Sequence, residues 1–158
     1  MASLTSTGRV RAALREHGID REIVTFDAST RTAADAATAL GCEIAQIVKS
    51  LVFRGEMSDR PVLVVASGAG RVDEELVTAV VGEPIGKADA AYVRDRTGFA
   101  IGGVAPLGHL EPPIVVVDED LLRLDVLWAA AGAPNAVFTL DPDELVRISG
   151  GQVARVRQ

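Results

Sequence analysis

An isolated lysine in an apolar segment is the first residue of this sequence suited to bind an anion or to assist a reaction. If residues 46–54 form a strand, Lys49 shares one face with Ile47 and Leu51. Only two of the 16 basic residues, Lys49 and Lys87, are lysines. A buried charge costs several kcal/mol unless a polar group pairs with it. Two interpretations stay open: an ammonium group that meets an anionic ligand, or a strand-edge lysine whose head reaches water.

A second segment that could do chemistry is rich in glycine. Residues 98–109 contain four glycines and Pro106. Glycine lets a backbone approach a ligand closely, so such a loop could aim its N–H groups at a ligand. The alternative is a tight connection in which glycine serves only the backbone geometry.

The remaining reactive side chains favour structural roles. Cys42 could form a thiol–imidazole pair with His109, but it follows Gly41 at a predicted helix end and is better explained as a small buried hydrophobe. The carboxylates at 118–120 could hold magnesium, although a solvated turn is much commoner. We therefore expect no metal and no cofactor.

Glycines at 68 and 70 lie between a predicted strand and a predicted helix, an arrangement that can bind phosphate. The dinucleotide-binding pattern needs a third glycine where Asp73 stands, and Asp73 would place negative charge at the helix start. We therefore reject a Rossmann nucleotide site.

The elements that position these residues alternate irregularly between helices and strands. Helices are predicted from Ser6 or Thr7 to Gly18, at 31–40 after a Thr30 cap, and at 74–81, 90–97 and 142–149. Strands are predicted at 23–26, 46–54, 61–67, 114–117, 136–140 and 153–156, whereas 124–131 is ambiguous. The sequence predicts an α+β fold with a mixed, mostly antiparallel sheet of about six or seven strands and flanking helices.

Length and composition indicate a single globular domain over residues 1–158. No apolar run approaches the roughly 20 residues of a membrane span, and the N-terminus lacks a secretory signal pattern. With a single cysteine, we expect a cytoplasmic protein without an internal disulfide. The net charge of −6 argues against a broad nucleic-acid-binding surface but allows a small local site.

Three segments, in this order, carry a family resemblance. They are Ala39-Leu40-Gly41 before Ile47-Val48-Lys49-Ser50-Leu51, the loop at 97–108, and Ala131-Gly132-Ala133-Pro134-Asn135 followed by Leu140 and Asp143-Glu144-Leu145. Over about residues 32–156 the chain resembles the YbaK/ProX family of aminoacyl-tRNA editing domains, which are free-standing or inserted in bacterial prolyl-tRNA synthetases.

The resemblance implies a compact α+β domain that deacylates mischarged aminoacyl-tRNA, expected to be tRNA(Pro) carrying a small wrong amino acid. Hydrolysis would use water or the substrate's own groups rather than a protein nucleophile. The family's lysine falls on Lys49, and its glycine-rich loop on Gly102 and Gly103. The expected substrate-binding residues are Ser50, Pro106, Ser67, Gly68 and Gly132.

The expected partners are the aminoacylated acceptor end of tRNA and prolyl-tRNA synthetase. Four arginines are either local tRNA contacts or ordinary surface residues: Arg31, Arg54, Arg71 and Arg94. The alternative function is a non-catalytic member of the same fold that docks on a synthetase or binds a small ligand.

Overall fold

The computed structural model describes residues 5–26 and 32–157. The helices are α1 (Ser6–Glu16), α2 (Ala33–Leu40), α3 (Glu74–Val81), α4 (Ala90–Thr97) and α5 (Pro142–Ser149). The strands are β1 (Val24–Thr25), β2 (Val48–Gly55), β3 (Pro61–Ser67), β4 (Ile85–Lys87), β5 (Ile114–Asp118), β6 (Leu127–Ala133), β7 (Ala136–Leu140) and β8 (Gln152–Ala154). Short 3₁₀ helices occupy Ile44–Gln46 and Glu119–Arg123. Within the described part of the chain, no helix is long and apolar enough to cross a membrane.

The described strands form two sheets. The larger sheet has the order β4-β2-β3-β5-β8, and the smaller one has the order β1-β7-β6. Among the described strand pairs, only β3–β5 and β5–β8 are parallel, so the predicted α+β class and the prevalence of antiparallel pairs are confirmed. The described strands number eight and are divided between two sheets, where the sequence predicted one sheet of about six or seven.

The larger sheet is covered on both faces. Every residue of β3 is buried, which confirms its predicted central position. Strand β2 alternates between the two apolar clusters: Val48 and Val52 belong with the core shared with β6 and β7, whereas Leu51 and Phe53 pack with the cluster that includes α3. Lys49 therefore lies on the same face as Leu51 and Phe53, as the pattern predicted.

Several helix boundaries follow local capping chemistry. The side chains of Asp73, Asp89 and Asp141 accept backbone N–H groups at the starts of α3, α4 and α5, as predicted. The predicted start of the second helix differs, because the Thr32 side chain caps α2. Thr30 and Arg31 lie outside the described residues. The ambiguous segment at 124–131 contributes to strand β6.

Candidate active site

A cavity of about 880 Å³ opens beside the edge of β2. Lys49 lines one wall, and Gly102 and Val104 of the glycine-rich loop line another. The turn at residues 68–70, Trp128 of β6 and residues of α2 also line this cavity. The lysine and the loop, which are far apart in the sequence, thus border one space of a size typical for small-molecule sites.

Among the described strands, none pairs with the outer edge of β2 along the cavity. Strand β4 pairs with β2 only from Phe53 to Gly55, and Ile47 forms an isolated bridge with β6. The Glu56 N–H donates to the Pro84 carbonyl on this outer side, so even-numbered residues of β2 turn their backbone groups outward. The N–H and C=O groups of Ser50 therefore lie at the cavity, where no described strand pairs with them.

Lys49 is partly buried and makes one polar contact within the described structure. Its Nζ donates to the Gly70 carbonyl at 3.1 Å, and no described carboxylate forms an ion pair with it. Burial lowers the pKa of Lys49, and the positive charges of Arg157 and Arg71 lower that pKa further. The ammonium group therefore has a neutral carbonyl as its hydrogen-bond acceptor and two positively charged arginines nearby. An anionic ligand would be stabilised by all three positive charges.

The glycine-rich loop offers fewer backbone donors than the sequence predicted. The Gly103 N–H donates to the Ala100 carbonyl at 2.9 Å, so it is occupied within a turn. A Cβ on Gly103 would lie 2.9 Å from Cα of Ala133, which shows why glycine is needed there. Gly102 has a φ of +93° and lines the cavity, and no described carbonyl accepts its N–H. Of the two glycines, Gly102 is the one placed to face a ligand.

Helix α1 holds this loop in place. Arg9 donates from Nη2 to the Gly98 carbonyl at 2.9 Å and from Nε to the Gly108 carbonyl at 3.3 Å. Its guanidinium also lies over the Phe99 ring, 4.7 Å from the ring centre. These contacts fix both ends of the loop, so its middle keeps a defined position against the cavity.

The expected substrate-binding residues divide into two groups. Ser50 and Gly68 line the cavity, and the Ser50 hydroxyl is buried without a described hydrogen-bond partner. Ser67 is buried and donates its hydroxyl to the Ala45 carbonyl at 2.8 Å, so it stabilises the strand end. The described cavity wall does not include Ser67, Gly132 or Pro106.

Gly132 and Pro106 occupy packing positions. Gly132 has a φ of +96°, and a Cβ there would lie 2.7 Å from the backbone of Ser6, so glycine allows α1 to approach the β6–β7 hairpin. Pro106 is buried in the loop behind the cavity wall. Ser67, Gly132 and Pro106 thus lie outside the described cavity wall, and substrate contact for these three residues stays a prediction.

The other reactive residues lie away from the described cavity wall. His109 places Nε2 2.6 Å from the Ala105 carbonyl, and burial lowers its pKa. Burial also raises the pKa of Cys42, which disfavours a reactive thiolate. Asp118 and Asp120 pair with Arg157. These contacts give structural roles to His109 and to the two aspartates of the possible magnesium site.

The candidate tRNA-contacting arginines lie in different surroundings. Arg71 is exposed beside Gly70 and lines a second cavity, of about 550 Å³, next to the first. Arg54 is paired with Asp59, and Arg94 is exposed on α4. Arg31 lies outside the described residues. Of the described arginines in this set, Arg71 is the one whose positive charge lowers the pKa of Lys49.

The cavity wall carries an unusual set of side chains. Among its described residues, Lys49 is the only charged one, and none has a carboxylate, imidazole or thiol group. Ile101 and Trp128 contribute apolar surface that the sequence did not single out, because their spacing matches no recognised site pattern. This arrangement can bind an anionic group next to an apolar one and can polarise an ester. It lacks a described side chain that could act as a conventional general base.

Comparisons with known proteins agree with this architecture. Residues 27–148 match the family described as "Aminoacyl-tRNA editing domain". A crystal structure of "a putative trans-editing enzyme for prolyl tRNA synthetase" is 45% identical, covers 99% of both chains and superposes with a TM-score of 0.91. The structure of "hypothetical protein APE2540" is 30% identical over 95% of this chain and 99% of that chain, with a TM-score of 0.86.

A sequence relative in Bacillus subtilis (strain 168), "Uncharacterized protein YwhH", is 32% identical over 144 residues, which is 91% of each chain. The family match spans most of the chain and includes β2 and the glycine-rich loop. It does not rest on one short motif. The protein therefore belongs to the family of aminoacyl-tRNA editing domains.

Proposed function

We propose that this protein is a trans-editing hydrolase that removes a small, wrong amino acid from mischarged tRNA(Pro), and that residues 1–158 act as one editing-type domain. The observation that carries the proposal is the shared cavity of Lys49 and Gly102. The resemblance of the fold to the structure described as "a putative trans-editing enzyme for prolyl tRNA synthetase" supports the choice of tRNA.

The reaction follows from the groups that the cavity provides. Water adds to the ester carbonyl carbon, the bond to the ribose oxygen breaks, and that oxygen takes up a proton and leaves as a hydroxyl group. Negative charge develops on the carbonyl oxygen, and backbone donors that already point to it lower the barrier. The N–H groups of Gly102 and Ser50 are the candidate donors, because the Gly103 N–H is occupied.

Lys49 supplies the positive charge of the site. Its ammonium group would bind a phosphate or polar oxygen of the terminal nucleotide and hold the ester near the loop. Since no described cavity residue has a carboxylate, imidazole or thiol group, the attacking water would be activated by a group of the substrate itself. The absence of these groups from the described cavity wall supports hydrolysis by water, with or without assistance from the substrate, and gives no role to a protein nucleophile.

The net charge of −6 limits the electrostatic attraction of tRNA to the protein. A single lysine beside Arg71 forms a small cationic site, which suits recognition of one acceptor end rather than of a long RNA surface. We propose that prolyl-tRNA synthetase, which binds the same tRNA, is a partner that brings the mischarged end to this cavity.

The test is release of amino acid from a panel of tRNA(Pro) charged with alanine, cysteine or proline. We expect release of a small wrong amino acid, and Lys49→Ala should lower kcat/KM by about 10²- to 10³-fold, as expected for loss of a charge-stabilising group. Lys87→Ala is the matched control, because Lys87 is exposed in β4. Binding of charged tRNA without release from any member would instead support a non-catalytic binding module.

A further inference from the structure

The carbonyl that holds Lys49 belongs to a turn at residues 68–71, which connects β3 to the segment before α3. Gly70 has a φ of +80°, and its carbonyl accepts from Lys49 Nζ at 3.1 Å. No other described residue forms a hydrogen bond or ion pair with this ammonium group. The position of the turn therefore decides where the Lys49 side chain points.

The side chain of Arg157 packs against this turn. A Cβ added to Gly70 would lie 2.7 Å from Nη1 of Arg157 and 3.5 Å from its Cδ. The guanidinium thus fills the space beside Gly70, and the Arg157 side chain is only 18% exposed. A residue near the end of the chain consequently supports the backbone group that holds Lys49.

Two carboxylates fix the guanidinium. Arg157 Nη2 donates to Asp120, and Nε lies 3.5 Å from Oδ2 of Asp118, whose side chain is 1% exposed. Asp118 also accepts the N–H of Ser67, the last residue of β3, at 3.1 Å. Arg157 is therefore anchored to the strand from which the turn starts, which makes it a rigid support for Gly70.

The tail has a second attachment that does not involve this side chain. The Asp73 N–H donates to the Val156 carbonyl at 2.7 Å, and Val156 is fully buried. Replacement of the Arg157 guanidinium should therefore leave the backbone of the tail docked. The effect of the side chain can be measured apart from the effect of losing the tail.

We propose that Arg157 is a positioning residue for Lys49. Its guanidinium, held by Asp118 and Asp120, fixes the Gly70 carbonyl and thereby orients the Lys49 ammonium group toward the cavity. The importance of this orientation for turnover rests on the proposed deacylase function, whereas the interaction of Arg157 with Lys49 is testable without substrate.

The charges around Lys49 give this proposal a spectroscopic signature. Arg71 comes from the turn, Arg157 from the tail, Asp73 from the start of α3, and Asp118 and Asp120 from the end of β5 and the segment after it. After burial, Arg157 is the largest cause of the lowered pKa of Lys49. Removal of the guanidinium should therefore raise the Lys49 pKa.

The experiment uses the fact that the chain contains only two lysines. Reductive methylation with ¹³C-formaldehyde labels Lys49, Lys87 and the terminal amine, and their NMR signals are followed against pH. In Arg157→Gln, the Lys49 signal should titrate at higher pH while the Lys87 signal is unchanged. Arg11→Gln, which removes an exposed charge from α1, is the matched control and should leave both signals unchanged.

Kinetics separate positioning from a general loss of structure. Arg157→Gln should lower kcat by about 10- to 100-fold, the scale of a misplaced reacting group, with a much smaller change in KM. Arg157→Lys keeps the positive charge but cannot bind both carboxylates as a fork. It should restore the Lys49 titration and only part of kcat.

Arg157→Gln leaves the buried carboxylate of Asp118 without its cation, so it is also studied as the double variant with Asp118→Asn. The amide introduced by this second change carries no charge and keeps an oxygen that can accept the Ser67 N–H. A folded single or double variant with wild-type Lys49 titration and wild-type kcat would overturn the proposal. If Lys49 shifts as expected but the wild-type protein releases no amino acid from any tRNA, the charge interaction between Arg157 and Lys49 stands and the proposed function fails.

Discussion

Alanine at Gly102 and at Gly103 should affect this protein for different physical reasons. Gly103 has a φ outside the left-handed region, but an added Cβ would lie 2.9 Å from Cα and 3.1 Å from C and N of Ala133. Gly102 has room, since its added Cβ would meet only Cγ of Pro134 at 3.9 Å among the described atoms, but its φ is +93°. The first change forces backbones apart, whereas the second strains one residue.

These contacts set the expected losses of stability. Overpacking against a backbone costs about 1 to 3 kcal/mol, and a side chain in a left-handed conformation costs about 1 to 2 kcal/mol. A domain of this size loses roughly 3 °C of melting temperature per kcal/mol. We therefore expect Gly103→Ala to melt about 3 to 9 °C lower than wild type and Gly102→Ala about 3 to 6 °C lower.

Activity should follow a different order. Gly102 lines the cavity and its N–H is a candidate donor, so Gly102→Ala should lower kcat/KM for deacylation by about 10²-fold. Gly103→Ala should lower it less, because the Gly103 N–H is bonded to Ala100. Thermal denaturation followed by circular dichroism, together with amino-acid release well below the melting temperature, measures both quantities.

Gly82→Ala is the matched control for backbone strain. Gly82 has a φ of +89° at the end of α3, and nothing described lies within 4 Å of an added Cβ. It should lose stability about as Gly102→Ala does while keeping full activity. If Gly103→Ala loses more turnover than Gly102→Ala with both proteins folded, the assignment of the loop donor to Gly102 is refuted.

Asp118→Ala should lower the free energy of unfolding by about 1 to 3 kcal/mol, because it leaves the buried Ser67 N–H without its acceptor and removes one of the two carboxylates that pair with Arg157. Urea denaturation checks this, and a loss below about 1 kcal/mol would contradict it. Cys42→Ser, and separately a chelator, should leave deacylation unchanged, whereas loss of activity would indicate a thiol or a metal mechanism. The pKa of Lys49 is lower in the folded protein than its unfolded value of about 10.4. At pH values between these two pKa values the unfolded chain binds more protons than the folded protein, so the free energy of unfolding should rise with pH in that range. Urea midpoints of wild type relative to Lys49→Met, from about pH 8 to pH 11, test the sign, and a relative fall would contradict it.

Much of the fold was predictable because its signals are local. An aspartate cap and a terminal glycine define α3, α4 and α5, and these helices have the predicted bounds. The apolar run of β3 likewise marks a strand buried on both faces. The division into two sheets was not predictable in this way, since it depends on which strand edges meet, and the apolar pattern of β6 does not specify its partner.

The candidate site shows the same limit at the level of atoms. Lys49 was recognisable because an ammonium group in an apolar strand needs a polar partner, but its contact with the Gly70 carbonyl depends on a turn 21 positions away. Gly102, Gly103 and Gly132 look alike in the sequence. Only the packing shows that one of them lines the cavity while the other two let backbones approach Ala133 and Ser6.

The incomplete pairing of β2 connects the fold to the proposed chemistry. A central strand normally has its backbone groups paired on both edges, and an unpaired edge invites association with other chains. Here the gap between the bridge at Ile47 and the β4 pairing at Phe53 faces a cavity instead of open solvent. No described strand pairs with the Ser50 backbone in this gap, so the donor and the cation arise from consecutive residues of one strand. Closure of the sheet along its whole length would remove both the cavity and its donors.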